Sequence, residues 1–319
     1  MQITKQNWPK DAAPLVSICC ITYNHENYIR DAINGFLMQD TSFPVEVLIN
    51  DDSSSDKTAE IIKEYENKYP NFIFPIYQKE NQKSKGVRPN PTFNYPRARG
   101  KYIALCEGDD YWTDPYKLQK QVDFLERNTG CSMCFHAVNR ISADNDKLLS
   151  IQRSDEKSRY FQMNQLIMGG GGFVGTQSIV LRKEIINNLP AFFNLSPAGD
   201  YPLVLLSRER GNVYYINESM AAYRINNINS TMGQIKNSSF ENIMNRYGMF
   251  ARMLYEFDEY TNYKYHFWFK KKSSQLIFKA FRRNRLRANF NIRFLLLWKW
   301  WRYLKSMDKF ISILLLLPV

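Results

Sequence analysis

Over the first 130 residues, apolar runs of strand length alternate with segments of helical spacing. Residues 15–22 form a continuous apolar run after Pro14, as expected of a strand buried on both faces. In residues 27–39 the apolar positions Ile29, Ala32, Ile33, Phe36 and Leu37 share one helix face. Residues 45–49 predict a second strand, ending at Asn50-Asp51-Asp52-Ser53. Residues 57–69 read as a helix stopped by Pro70, and residues 72–77 and 101–106 as a third and fourth strand. Thr113-Asp114-Pro115 supplies an N-cap and a proline for the first turn of a helix over about 115–127. Strands separated by helix-length segments argue for βαβ units and a parallel sheet.

After Cys131 the pattern changes. Residues 131–138 read as a strand, 140–159 as a polar surface hairpin or loop, 169–172 as a glycine hinge and 176–181 as another strand. Residues 200–208 read as a helix, and 213–216 and 220–225 as two short strands. This mixed second half joins the first sheet and is not an independent fold.

Composition changes that picture little. At 319 residues with 44% hydrophobic positions, the chain can bury a core as one large domain or two modest ones. The N-terminal residues hold no apolar h-region, so no secretory signal is expected. Cys19, Cys20 and Cys106 lie in apolar strands, and Cys131 and Cys134 lack the second pair a zinc site needs. A reducing cytoplasm fits that usage.

Charge changes it more. Residues 261–319 carry fourteen Lys and Arg against one acid, Asp308, whereas the whole chain is +12. The basicity therefore belongs to the tail. There it is interleaved with Phe and Trp, and the apolar runs are shorter than the ~20 residues a spanning helix needs. Basic-aromatic segments of this kind lie in the membrane interface. The same composition also suits a helical bundle packed on the body. Nucleic-acid binding is not expected, because it explains neither acidic cluster described next.

Two acidic clusters end two strands of the same predicted sheet. The first is Asp51-Asp52-Ser53-Ser54-Ser55-Asp56 and the second is Glu107-Gly108-Asp109-Asp110. Ligands of open α/β sheets bind at the carboxyl ends of the strands. Carboxylates crowded together repel unless a cation offsets them, and hard divalent ions take one or two carboxylates plus substrate phosphates. Asp51 and Asp52 can accept from a base or a ribose, Asp56 can cap a helix, and Gly108 leaves room for close approach of a ligand. The chain has neither a G-x-x-x-x-G-K-[ST] loop nor a G-x-G-x-x-G after its first strand.

These motifs resemble those of the family 2 nucleotide-sugar glycosyltransferases of GT-A fold. The resemblance runs through Val16-Ser-Ile-Cys-Cys-Ile-Thr-Tyr-Asn24, Asp51-Asp52-Ser53-Ser54-Ser55-Asp56-Lys57-Thr58 and Gly100-Lys101-Tyr102-Ile103-Ala104-Leu105. It continues in Glu107-Gly108-Asp109-Asp110-Tyr111-Trp112, Lys117-Leu118, Gly199-Asp200-Tyr201-Pro202-Leu203 and Tyr223-Arg224, and covers roughly residues 14–232. It implies an α/β fold with a mostly parallel central sheet and helices on both faces. It also implies a GT-A domain over 1–235, with a nucleotide-sugar half at about 14–130 and an acceptor half at about 131–235. A helical basic-aromatic region over 236–319 would follow.

The resemblance further implies an inverting transfer from a nucleotide-sugar donor, with UDP favoured, to a hydroxyl of a saccharide or lipid-linked saccharide acceptor. Thr22, Tyr23, Asn24, Asp51 and Asp52 would hold the nucleoside, with Arg88 and Gly108 near the diphosphate. Asp109, with Glu107, would bind Mn²⁺ or Mg²⁺, and Asp200 would be the general base. Asp110, Trp112, Thr176 and Arg224 would touch donor or acceptor. The expected location is the cytoplasmic face of the cell membrane, in surface-polysaccharide synthesis, with the tail on the membrane surface. A polyprenyl-phosphate sugar transferase and a non-catalytic nucleotide-binding scaffold are the other readings. The chain departs from the family at Gly199 and Tyr201, which flank Asp200, and at Asn226, where many members carry a metal-proximal His.

Overall fold

The computed structural model describes residues 1–6, 8–9, 12–225, 238–284, 288, 290–304 and 308–309. Asn226 and residues 311–317 of the apolar C-terminal run lie outside the described residues. The chain divides into two compact units. The first comprises Met1–Phe161, Phe173–Leu189 and Leu206–Ile225; the second comprises Gln162–Gly172, Pro190–Leu205 and the described part of 226–319.

The first unit is built on one ten-stranded sheet. Its strands are β1 (Val16–Thr22), β2 (Val45–Asp51), β3 (Ile73–Tyr77), β4 (Tyr102–Glu107), β5 (Tyr111–Trp112), β6 (Cys131–Ser142), β7 (Leu148–Gln152), β8 (Arg159–Phe161), β9 (Val180–Arg182) and β10 (Asn212–Ile225). The main order is β3-β2-β1-β4-β9-β6-β10-β5, with β7 on β6 and β8 on β10. The expected parallel block is present: β1 pairs in parallel with β2 and β4, and β2 with β3. Strands β6 and β10 are also parallel, but β9, β7, β8 and β5 pair antiparallel, so the sheet is mixed.

Burial explains the apolar runs. Adjacent residues of β1 and β2 point to opposite faces, yet both neighbours are covered, as at Cys19 and Cys20 or Leu48 and Ile49. Helices α1 (Ile29–Leu37), α2 (Thr58–Lys68) and α3 (Lys117–Arg127) connect these strands. Phe36 of α1, Ile62 of α2, and Leu118 and Val122 of α3 join the same core as Ile18 and Ile49.

Several elements differ from the expectation. Helix α3 begins at Lys117 and not at Pro115, because the Asp114 carboxylate is turned onto the Tyr116 N–H at 2.7 Å and closes a separate turn. Residues 176–178 form a 3₁₀ turn before β9, and not the start of a strand. The two short strands at 213–225 are one strand, β10, bulged around Ser219. A polar bulge breaks the apolar alternation and so imitates a loop.

In the second unit, α4 (Met163–Gly169) occupies the residues just before the glycine run, and Gly170 ends it at φ 74°. That left-handed conformation suits glycine. Helix α5 (Asp200–Arg210) begins in this unit and ends in the first, and α6 (Phe240–Tyr260), α7 (His266–Asn284) and α8 (Phe290–Trp300) form the tail region. Ser239 caps α6 through the Asn242 N–H. Phe240, Met244, Ile277, Phe281, Leu297 and Trp300 make a separate apolar cluster. Among the described residues no helix is long and apolar enough to cross a membrane.

Candidate active site

The parallel pairing puts the ends of β1, β2 and β4 side by side. Thr22 is level with Asp51, and Ile21 with Glu107. Neighbouring strands lie about 4.8 Å apart, so the two acidic clusters flank β1 along one sheet edge. Local sequence explains the break: each apolar run gives way to polar residues able to turn the chain.

Side chains lace the first two strand-end loops together. Asn24, at φ 54°, receives a hydrogen bond from the Ser55 N–H at 2.8 Å and donates its own N–H to Ser54 Oγ at 2.9 Å. The His25 N–H donates to Thr58 Oγ1, the Glu26 N–H to Asp56, and the Lys57 N–H to Glu26. Asp56 also accepts from the Thr58 N–H, so it orders the start of α2. Tyr23 stands exposed at this loop.

The two aspartates of the first cluster have different surroundings. Asp51 accepts from the Ser54 hydroxyl and N–H, and burial raises its carboxyl above the ordinary range against those bonds. Asp52 accepts the Gln82 N–H at 2.8 Å and the Lys83 N–H at 3.0 Å, one on each oxygen. Asp52 thus anchors the 78–86 loop, and any contact with a nucleoside must use its remaining lone pairs.

The second cluster is equally divided. Glu107 closes β4 and is half-buried. The Gly108 N–H donates to the Ile21 carbonyl at 2.9 Å. A Cβ on Gly108 would stand 2.6 Å from Thr22 Oγ1 and 3.1 Å from His25 Nδ1. The space beside the glycine on that side is filled by the protein's own Thr22 and His25. Asp110 is buried and accepts the Arg224 N–H at 3.0 Å, which ties β10 to the turn. Burial first, then the Asp109 charge, raise its carboxyl well above the usual range.

Asp109 is different. Its Oδ1 is buried and takes no hydrogen bond, and its Oδ2 faces His25 Nε2 across 3.8 Å. Burial pulls the His25 imidazole below its ordinary range, against the upward pull of Asp109. The other ring nitrogen, Nδ1, lies 3.2 Å from Thr22 Oγ1.

Three expected contact residues already have partners within the protein. Trp112 is 1% exposed and donates from Nε1 to the Gln177 carbonyl, so its ring is part of the core. Arg224 is buried, with Nε on Asp146 at 3.1 Å, Nη2 on Asp31 at 2.5 Å and Nη1 on the Asp109 carbonyl at 3.1 Å. It also stacks over the rings of Tyr28 and Tyr111. Burial works against its charge, but Asp146 and Asp31 outweigh it and raise its pKa. A phosphate would have to displace those partners. Thr176 begins the 3₁₀ turn and its carbonyl accepts the Ile179 N–H; the Ile179 carbonyl in turn accepts the Leu105 N–H of β4. Arg88 is half-buried, with its carbonyl on the Thr92 N–H.

Asp200 belongs to the second unit. It opens α5, is half-buried, and its Oδ1 accepts the Tyr201 N–H at 2.8 Å. His136 is buried with Nδ1 at 2.7 Å from the Ala137 carbonyl, a core histidine as its apolar strand implies. Arg140, which the sequence places in a loop, and Tyr223, named there only within the Tyr223-Arg224 motif, face one another across β6 and β10. Burial first, then Asp110, Glu107 and Asp109, raise the Tyr223 phenol, and Arg140 Nε is buried without a hydrogen-bond partner. Only the length of β6, which continues to Ser142, brings Arg140 to this edge.

Among the described residues no group of three or more His, Cys, Asp and Glu side chains forms a metal cage. The fit is to a cation held mainly by its substrate. Asp109 offers a buried, unpaired carboxylate oxygen, and Mg²⁺-type sites need only one or two carboxylates when phosphates supply the rest.

Comparison with known proteins gives this edge its context. The sequence pattern of glycosyl transferase family 2 matches residues 17–189. The chain belongs to that family. This family 2 member is 41% identical over 210 residues to an uncharacterized protein of Mycobacterium tuberculosis, covering 66% of this chain and 58% of the relative. The chain thus spans less than two thirds of that relative's length. It is 29% identical over 203 residues, 64% of this chain and 73% of the relative, to the UDP-Glc:alpha-D-GlcNAc-diphosphoundecaprenol beta-1,3-glucosyltransferase WfgD of Escherichia coli. In fold it resembles S. aureus TarS in complex with UDP-GlcNAc, at TM-score 0.66 and 15% identity, covering 92% of this chain and 82% of TarS. It also resembles the mannosyltransferase PcManGT of Pyrobaculum calidifontis in complex with GDP-Man and Mn²⁺, at TM-score 0.53 and 14% identity, covering 97% and 87%. The family 2 fold is therefore an α/β architecture of GT-A type.

Proposed function

We propose that this protein is a metal-dependent, inverting glycosyltransferase of cell-surface polysaccharide synthesis. It would transfer a sugar from a UDP-sugar to a hydroxyl of a lipid-linked saccharide. One observation carries the reading: an unpaired, buried Asp109 oxygen at a strand edge where laced loops leave Tyr23 exposed. The named activity of WfgD and the ligands of TarS and PcManGT support the donor class and the cation.

In this reading Tyr23 and Asn24 border the base, and Asp51 and the free lone pairs of Asp52 meet the nucleoside. A divalent cation bound at Asp109, beside Glu107, would supply Lewis-acid stabilisation to the departing diphosphate. Asp200 removes the proton of the acceptor hydroxyl as that oxygen attacks the anomeric carbon. A positioned base contributes about 10²–10⁴-fold.

The tail reading is attachment to an anionic bilayer at the cytoplasmic face. On α8, Phe290, Phe294 and Trp298 recur every four residues and, with Leu295, are exposed, while Leu296, Leu297 and Trp300 face the apolar cluster. An aromatic face beside a strongly basic segment matches interfacial binding. Co-sedimentation with phosphatidylglycerol vesicles, but not phosphatidylcholine vesicles, is expected, and Trp298→Ala weakens it. Equal binding to neutral vesicles would remove the electrostatic part of this reading.

Screening nucleotide sugars for thermal protection, with and without Mn²⁺, tests the central claim. A UDP-sugar should raise the unfolding temperature only when metal is present. Asp200→Asn should keep that protection and lose transfer by at least about 10²-fold. Undiminished transfer by this variant would remove Asp200 as the base.

A further inference from the structure

His25 faces Asp109 without a hydrogen bond between them, and the pair is ionic only when the imidazole is protonated. The separation of 3.8 Å between His25 Nε2 and Asp109 Oδ2 exceeds hydrogen-bond range. Nδ1 lies 3.2 Å from Thr22 Oγ1, and in the tautomer that donates from Nδ1 the Nε2 lone pair is left facing the carboxylate. In that tautomer no donor lies between the two groups, and Asp109 Oδ1 lacks one as well. A cation between or beside them would complete both groups in this largely buried place.

The imidazole is held firmly in position. Its backbone N–H donates to Thr58 Oγ1 at 2.8 Å, and its carbonyl accepts the N–H groups of Tyr28 and Ile29, both at 2.9 Å. Gly108 leaves the ring and Thr22 the space they occupy. A ligand fixed through its other nitrogen and its backbone is the arrangement metal-binding histidines use.

We propose that His25 is a ligand of the divalent cation bound at Asp109, so that the protein contributes one imidazole and one carboxylate and the nucleotide diphosphate contributes oxygens. This rests on the metal-dependent reading above. An imidazole ligand suits transition metals better than Mg²⁺, so Mn²⁺ is the preferred ion.

Pulsed electron paramagnetic resonance of the full chain with Mn²⁺ and UDP reads the ligand directly. Wild type should show nitrogen modulation from a bound imidazole, altered when histidine alone is labelled with ¹⁵N. The chain holds only three histidines, His25, His136 and His266. His25→Ala should abolish the modulation and weaken Mn²⁺ binding by at least about tenfold, while His266→Ala leaves both unchanged. If His25→Ala does not fold, His25→Gln and the labelled wild type still decide the matter. Bound Mn²⁺ with no imidazole nitrogen would overturn the role of His25 and leave the metal reading standing. Failure of wild type to bind Mn²⁺ with UDP would overturn both.

Discussion

Gly108→Ala should damage the acidic turn far more than one added methyl group suggests. The new Cβ would stand 2.6 Å from Thr22 Oγ1 and 2.7 Å from Thr22 Cβ. Ordinary carbon contacts need about 3.5 Å, so something must move by roughly 0.8 Å. The strand ends cannot part freely: the Gly108 N–H is bonded to the Ile21 carbonyl, and the Thr22 carbonyl to the Asp52 N–H, both at 2.9 Å. Overpacking of this kind costs about 1–3 kcal/mol, which a folded domain survives. Displacing Asp109 by nearly 1 Å should cost more, on the order of 100-fold in turnover.

The assay pairs thermal unfolding with metal-dependent turnover of the nucleotide sugar identified by the screen. Activity should fall much further than the fraction folded. Adding Thr22→Gly removes both clashing atoms, so the double variant should regain part of the lost stability, with a coupling of about 0.5–3 kcal/mol. Full stability and rate in Gly108→Ala would refute the steric reasoning. So would a double variant no more stable than the sum of the two single changes predicts.

Lys117 is fully buried, bonded to Gln121 and stacked on Trp112, and burial lowers its pKa to about 7. Between that value and the unfolded value of about 10.4 the unfolded chain binds more protons, so this group makes stability rise with pH, by up to about 1.4 kcal/mol per unit. The five buried thiols, all raised by burial, act oppositely above about pH 8.5. Urea unfolding should therefore show stability climbing from pH 7 to about 8.5 and then falling. Lys117→Met should remove the climb and add about 1–3 kcal/mol at pH 7; a persistent climb would count against Lys117 as its source. Arg224→Lys loses the fork between Asp31 and Asp146 and should lower stability by about 1–3 kcal/mol, measured by denaturant midpoint. Asp52→Asn keeps only one carbonyl acceptor for the Gln82 and Lys83 N–H groups and should speed hydrogen exchange in residues 78–86. Unchanged exchange there would deny Asp52 its anchoring role.

The strands were legible because double-sided burial demands uninterrupted apolar residues, as in β1 and β2. The strand-end acids were legible because polarity breaks sharply at Asp51 and Glu107. Beyond Cys131 legibility fell: a bulge hid the continuity of β10, and α4 was masked by the glycines that end it. Trp112 and Arg224 looked like surface contacts in the chain, but their partners Gln177, Asp31 and Asp146 are distant in sequence and meet them only after folding.

By itself, then, the sequence determined that two acidic clusters end neighbouring strands of an α/β sheet and that the charge excess sits in a tail. Only the tertiary structure decided which acid is left unpaired. Asp52 is taken by N–H groups 30 and 31 residues away, and Asp110 by one 114 residues away. Apolar periodicity reports how deeply each residue is buried. It does not report which donor reaches a carboxylate, and that choice leaves Asp109, beside His25, with an oxygen that no donor reaches.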